Sequence, residues 1–377
     1  MTTLRVIIEE MLSPVPSGTS RYTEELTRAL ITTAPPSCYV EGIVASATEG
    51  AYADALDRLP GLTGLHKTSL ARRQLLTAWQ HGFTRLPGMV HAPTLLAPLS
   101  KHDRLHNHGQ QTVVTLHDLT AWLSPESVDS RGVAWHQAMA KRAHRYADAL
   151  VVPSHAVAEQ LGEFLDFGDR VRVIGGAVSP SLAVPADADE RAERLSLPNE
   201  YLVALGGLEQ RRGLEQLLAA LALPDAGDIP LLVIGPDDNG SGSLIAAAQA
   251  AGLAEGRVQP LGFLRDADLS VVLDRATAFV MPSQLEGFGL QLLEAFHFGT
   301  PVIHTDVPAL VEIAGDAGLT VALDDSETLA ERLATAIGSV LTDSELATSL
   351  GTAGQDRAAL FRWENSAEKV WQLHADL

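Results

Sequence analysis

Two glutamates, two arginines and a histidine–aspartate pair in this sequence have the types and spacing for work on anions and hydroxyl groups. Glu286 and Glu294 stand eight positions apart, and the turn Gly287-Phe288-Gly289-Leu290 follows the first of them. The preceding run, 278–281, reads as a buried strand, and the apolar run 290–298 reads as a helix stopped by Gly299 and Pro301. Strand, glycine turn and helix in that order aim backbone N–H groups and the positive end of a helix dipole at one place, which suits a phosphate. Within the helix, the apolar residues at 290, 292, 293, 295, 296 and 298 point in nearly every direction, so the helix is expected to be buried. A buried Glu294 is costly unless it meets hydroxyls or cations. The alternative is a good helix former that simply turns to water.

Arg211 and Arg212 are adjacent in a segment read as a loop between a strand and a helix. Guanidinium groups bind diphosphate well. His117-Asp118 closes a strand read at 112–116, at the edge where open α/β sheets bind ligands, although such a pair also caps turns. Near the N-terminus, a strand at 4–8 leads into SPVPSGTSRYTEELTRAL. This reads as a Pro/Gly loop and then a helix capped by Ser20 or Thr19, with Glu24 and Glu25 at its positive end. A glycine loop between first strand and first helix is a common ligand site in α/β domains and equally an ordinary capped turn.

Stepping outward, PSQLEGFGLQLLEAFHFGTPVI resembles the signature of the retaining family 4 glycosyltransferases, with Gln291 in place of the usual Pro. The resemblance implies a GT-B fold and a nucleotide-sugar donor. It places the donor ribose on Glu294, and the donor sugar and diphosphate on Glu286 and the backbone of Gly287, Phe288, Gly289 and Leu290. Arg212 takes the position of a phosphate-binding Lys, beside Arg211. His117 matches a histidine that contacts the donor sugar, so His117, Glu286 and Arg212 are the expected catalytic residues. Gly18, Arg21 and Tyr22 match a Gly-x-Gly-Arg-Tyr loop near the donor, with Ser20 replacing the second Gly. Ser154 matches a helix cap, and Ser179 stands where the family has Asp. The resemblance leans towards GDP-mannose, with UDP-sugars next, and towards a glycan or lipid-linked acceptor. It implies no metal and no cofactor, the nucleotide sugar being a substrate.

Strands alternating with helices in both halves imply an α/β protein of two Rossmann-like parallel-sheet domains, which the resemblance places face to face across a cleft. The expected boundaries are 1–178, completed by a C-terminal helix at 362–377, and 179–361. Two other functions fit this fold: a sugar-nucleotide epimerase, and a catalytically silent scaffold that binds partners. No P-loop or dinucleotide fingerprint is present.

The formal charge of −20 argues against nucleic acid as a partner. Residues 1–185 carry 16 basic and 17 acidic side chains, whereas the remainder carries 11 and 30, so the two arginines stand out in an acidic half. Cys38 is alone, which fits a reducing cytoplasm, and no signal peptide or apolar run of spanning length is read. Residues 65–80 read as an amphipathic helix with Lys67, Arg72, Arg73 and Trp79. It packs on its own domain or lies on the inner face of an anionic membrane. His102, His106 and His108 read as a solvated loop rather than a metal cluster. Residues 179–200 read as a linker, and Asp187-Ala-Asp189 and Asp266-Ala-Asp268 read as structural.

Overall fold

Two all-parallel sheets, whose central strands are short runs rich in buried Val, Ile, Leu and Ala and whose edge strands are partly exposed, form in the computed structural model of the chain. The structure describes residues 2–13, 17–103, 106–235, 241–324 and 328–377, with only the backbone of 241 and 242. The prolines read as part of the first loop, at 14 and 16, lie outside the described residues. Two units result: Met1–Gly176 with Arg362–Leu377, and Ala177–Phe361.

The first unit holds strands β1 Thr2–Ile7, β2 Cys38–Val44, β3 Leu65–Lys67, β4 Met89–Ala92, β5 Gln111–Thr115, β6 Ala149–Val152 and β7 Val171–Val173. Their order is β3-β2-β1-β4-β5-β6-β7, with Val6 of β1 opposite both Gly42 and His91. The second unit holds β8 Leu202–Leu205, β9 Leu231–Ile234, β10 Val258–Gly262, β11 Ala278–Met281, β12 Val302–Thr305 and β13 Leu319–Val321, ordered β10-β9-β8-β11-β12-β13. Each sheet grows outward from its first strand and then restarts on that strand's other side. The restart lies between β1 and β4 in one sheet and between β8 and β11 in the other. Connections leaving the carboxyl ends of those two strands diverge, the topology at which open α/β sheets commonly bind ligands.

Helix Trp363–Asp376 packs on helix Gly18–Thr32 of the first unit. Trp371 Nε1 donates to the Leu30 carbonyl at 3.2 Å, and Ser366 Oγ donates to the Gly175 carbonyl at 2.8 Å. His374 Nδ1 bonds Gln111 Oε1 at 2.8 Å, and its other ring nitrogen meets His91 Nδ1 at 3.3 Å. Burial pushes His91 down to about 3 and His374 well below the usual histidine value, so both stay neutral in this core.

Several local expectations are corrected by long-range partners. The helix read from residue 65 begins only at Arg72, because Leu65–Lys67 pairs as an edge strand with Gly42, Ile43 and Val44. Trp79 is 1% exposed and packed in the core, so it cannot anchor a membrane. Arg72 is held by Glu10 at 2.9 Å and Glu9 at 3.3 Å, and Lys67 by Glu49 at 3.2 Å. Among the described residues, no helix is long and apolar enough to cross a membrane. The stretch read as a linker folds in part into helix Ala188–Arg194 and is tied to helix Asp266–Asp274. Asp268 accepts Arg191 at 2.7 Å and Arg194 at 2.5 Å, Arg275 binds Asp189 at 2.5 Å, and Ser181 binds Asp266. Both Asp-x-Asp pairs are thus consumed structurally. His102 is not solvated: its side chain is 8% exposed and bonds Asp148 at 2.8 Å. His106 turns to Asp103 and His108 to the Leu377 carbonyl, so the three histidines have three separate partners.

Candidate functional site

In the second unit, β8 and β11 deliver two loops to the restart point of the sheet. After β8 comes the 3-10 turn Gln210–Arg212, and after β11 the loop 282–289. The loops are joined through their backbones. Gln284 N donates to the Arg211 carbonyl at 2.8 Å. Gly213 has φ +66°, and a side chain there would place Cβ 1.9 Å from the Pro282 carbonyl oxygen, so only glycine permits this approach.

This bracing brings together two residues far apart in sequence. Arg212 Nη1 donates to Glu286 Oε1 at 2.5 Å, with the side chains 22% and 11% exposed. Ser283 Oγ donates to the same oxygen at 3.2 Å. Arg211 Nε is buried and has no hydrogen-bond partner among the described residues. Net charge at an Arg–Glu pair is near zero, and Arg211 makes no ion pair among the described residues.

The loop then enters helix Leu290–His297 through Gly289, which adopts the left-handed conformation at φ +90° and contributes no side-chain cap. A Cβ at Gly289 would lie 2.6 Å from Leu310 Cδ2, the movable end of a side chain, so the dihedral rather than space favours glycine. Gly289 supplies no side chain to bond the first N–H groups of this helix, a kind of terminus that suits an anion. Phe288 packs edge-on against Phe361, with ring centroids 6.1 Å apart, which fixes the turn from its other side. Gly287 is buried and Leu290 half-buried. Glu294 lies one turn further on and is 3% exposed, so the outward-facing alternative does not hold.

The first unit carries His117 and Gly18. His117 follows β5 directly, half-buried, and its Nε2 bonds the Pro93 carbonyl at 2.7 Å. A carbonyl only accepts, so Nε2 carries the proton and neutral His117 has Nδ1 as a bare acceptor. Burial lowers its pKa from the usual 6.5, opposed by the Pro93 carbonyl and the charges of Asp118 and Glu10. The Tyr22 ring meets His117 edge-on with centroids 4.8 Å apart, and Tyr22 itself meets Trp363 at 5.5 Å. That triple contact was not legible locally, although Tyr22 was singled out by its motif. Asp118 Oδ1 accepts from Thr120 N at 2.8 Å and so caps the following turn. Gly18 opens helix Gly18–Thr32, whose cap is Ser17 rather than Ser20 or Thr19. Ser20 closes a reciprocal capping box with Ser17, at 2.7 and 3.1 Å, which occupies the position of the second motif glycine. Glu24 and Glu25 lie beyond the first turn and bind Arg28 and Arg58 instead of the helix dipole. Ser154 caps helix His155–Gly162 through Val157 N.

Comparison with known proteins separates the same two halves. Residues 16–182 match the model described as Glycosyltransferase Family 4, and residues 186–357 match Glycosyl transferases group 1. The chain is similar to O-antigen chain mannosyltransferase B of Escherichia coli, 28% identical over 83% of this chain and 86% of the relative. In structure it is similar to a sucrose-phosphate synthase from Thermosynechococcus elongatus, with TM-score 0.73 and 23% identity over 100% of this chain and 99% of the other. It is also similar to the Anabaena protein HepE solved with UDP and glucose, with TM-score 0.73 and 18% identity over 100% of both chains. These likenesses identify two Rossmann-like sheets as the GT-B arrangement.

Proposed function

The chain belongs to the family 4 glycosyltransferases, and from that premise we propose that it moves a hexose, with retention of anomeric configuration, from a nucleotide sugar to a glycan or lipid-linked acceptor. The observation that carries the reading is the pairing of Arg212, next to Arg211 in the chain, with Glu286 where the second sheet restarts. Cations, a helix N-terminus and a carboxylate there match a diphosphate joined to a polyhydroxyl group. GDP-mannose is the favoured donor, on the likeness to the O-antigen mannosyltransferase; UDP-sugars come next, on the likeness to HepE.

In this reading Arg211, Arg212 and the amides of the 287–290 turn hold the diphosphate and stabilise the charge that develops as it leaves. No metal is needed for that work. Glu286 accepts from a donor hydroxyl, and His117 accepts from another through Nδ1. Glu294 holds the nucleotide ribose. The acceptor oxygen attacks C1 on the face the phosphate departs from. The C1–O bond to phosphate breaks, and a phosphate oxygen takes the acceptor's proton.

Incubation with GDP-mannose or UDP-glucose, followed by NMR, tests the proposal. It predicts nucleoside diphosphate release that depends on acceptor and a product with the donor's anomeric configuration. Acceptor-independent consumption with release of an altered free sugar would instead identify an epimerase, and no consumption of any donor would leave a silent scaffold. A narrower expectation concerns Glu294→Gln. It should keep the protein folded, since the replacement is nearly isosteric, yet abolish most of the nucleotide-induced rise in unfolding temperature. Unchanged nucleotide affinity in that variant removes Glu294 from the ribose site.

A further inference from the structure

We infer that Ser283, which the sequence motif does not single out, is a positioning residue for Glu286; the inference rests on the donor-site reading above. Ser283 is 2% exposed, and its hydroxyl donates to Glu286 Oε1 at 3.2 Å. Its backbone is clamped on two sides. The buried Thr305 hydroxyl, at the end of β12, donates to the Ser283 carbonyl, and the next amide, Gln284 N, donates to the Arg211 carbonyl at 2.8 Å. A short side chain on a clamped backbone has little freedom, so its hydroxyl is a fixed reference point for the carboxylate.

The other partner of Oε1 is Arg212, at the end of a long flexible side chain. A diphosphate offers Arg212 a competing anion, and each bond it draws away weakens the hold on Glu286. Ser283 carries no charge, so an arriving phosphate competes less for its hydroxyl than for the Arg212 guanidinium, and its bond to Glu286 is the one expected to persist. Both bonds fall on Oε1, which leaves Oε2 out of these two contacts. Ser283 thus keeps Glu286 aimed at the sugar during the exchange of ion-pair partners, and its effect belongs to the sugar and not to the nucleotide.

The experiment compares wild type, Glu286→Gln, Ser283→Ala and Ser283→Thr by calorimetric titration with GDP and GDP-mannose and with UDP and UDP-glucose. The quantity read is the affinity gained by adding the sugar. Ser283→Ala is expected to lose about tenfold of that gain and of kcat/KM, the scale of one hydrogen bond to a charged group, while the nucleoside diphosphate Kd stays within about twofold. Ser283→Thr, which keeps the hydroxyl, should retain most of the gain. If Ser283→Ala matches wild type while Glu286→Gln loses the gain, the positioning role is overturned and the donor site stands. If Ser283→Ala weakens nucleoside diphosphate and nucleotide sugar equally, its role is general support of the loop and the inference fails. If Glu286→Gln leaves the gain intact, the donor reading itself fails, and the Ser283 inference with it.

Discussion

Replacing Arg212 by alanine is expected to weaken nucleoside diphosphate binding about a hundredfold while leaving binding of the bare nucleoside within about twofold. Two terms add. One or two charge-assisted hydrogen bonds to the phosphates are lost, each worth about 1.5–3 kcal/mol. In addition, Glu286 keeps its negative charge when its 2.5 Å partner is gone, and now repels the phosphates it formerly faced through a neutralising arginine. The second term gives a diagnostic. Adding Glu286→Gln to Arg212→Ala removes the repulsion, so the double variant should bind nucleoside diphosphate more tightly than the single one. Titration with UDP, GDP and the corresponding nucleosides reads both terms. Equal losses for nucleoside and nucleoside diphosphate would make Arg212 a structural residue, and the absence of any recovery in the double variant would remove the repulsion argument.

His117→Ala is expected to lower turnover about a hundredfold, the scale of removing one oriented hydrogen bond that counts in the transition state. Nucleotide affinity should stay within about twofold, because the proposed contact is with the transferred sugar. The pH dependence gives an independent check. Burial holds the pKa of His117 below its usual 6.5, so the side chain stays neutral as pH falls through that value. Nδ1 then remains an acceptor, and turnover should decline only as the pH drops through the lowered pKa. In the alanine variant this acid limb should disappear. Unimpaired turnover, or an acid limb unaffected by the substitution, would take His117 out of the reaction.

How much of this was legible in the sequence depended on how local the determining contacts are. The strand, glycine turn and buried helix around Glu286 and Glu294 are specified within some twenty residues by apolar periodicity and by Gly289 and Gly299, whose positive φ favours glycine. Helix caps such as Ser154 are similarly local. The strand order is not, and it is the order that brings the Arg212 and Glu286 loops to one restart point although the residues are 74 positions apart. The same limit produced the errors. Leu65–Lys67 has an amphipathic composition that continues smoothly into the next helix, and only pairing with β2 makes it a strand. Residues 179–200 have a linker's composition, yet Arg191 and Arg194 find Asp268 more than seventy positions away. Trp79 beside Arg72 and Arg73 suggested a surface anchor, but the tryptophan is consumed by the core. Ser283 lies inside the same motif, yet its partners Glu286 and Thr305 give it a role only in three dimensions.

In the proposed function the second unit binds a nucleotide sugar through Arg211, Arg212, Glu286 and Glu294. Thermal unfolding of the full chain with GDP, UDP, GDP-mannose and UDP-glucose tests it most directly. A ligand that binds only the folded protein stabilises it by about 2.7 kcal/mol at one hundred times its dissociation constant. The account predicts that one nucleoside diphosphate and its nucleotide sugar raise the unfolding temperature in a concentration-dependent way, with the nucleotide sugar effective at lower concentration. No shift with any of the four ligands at millimolar concentration would contradict it.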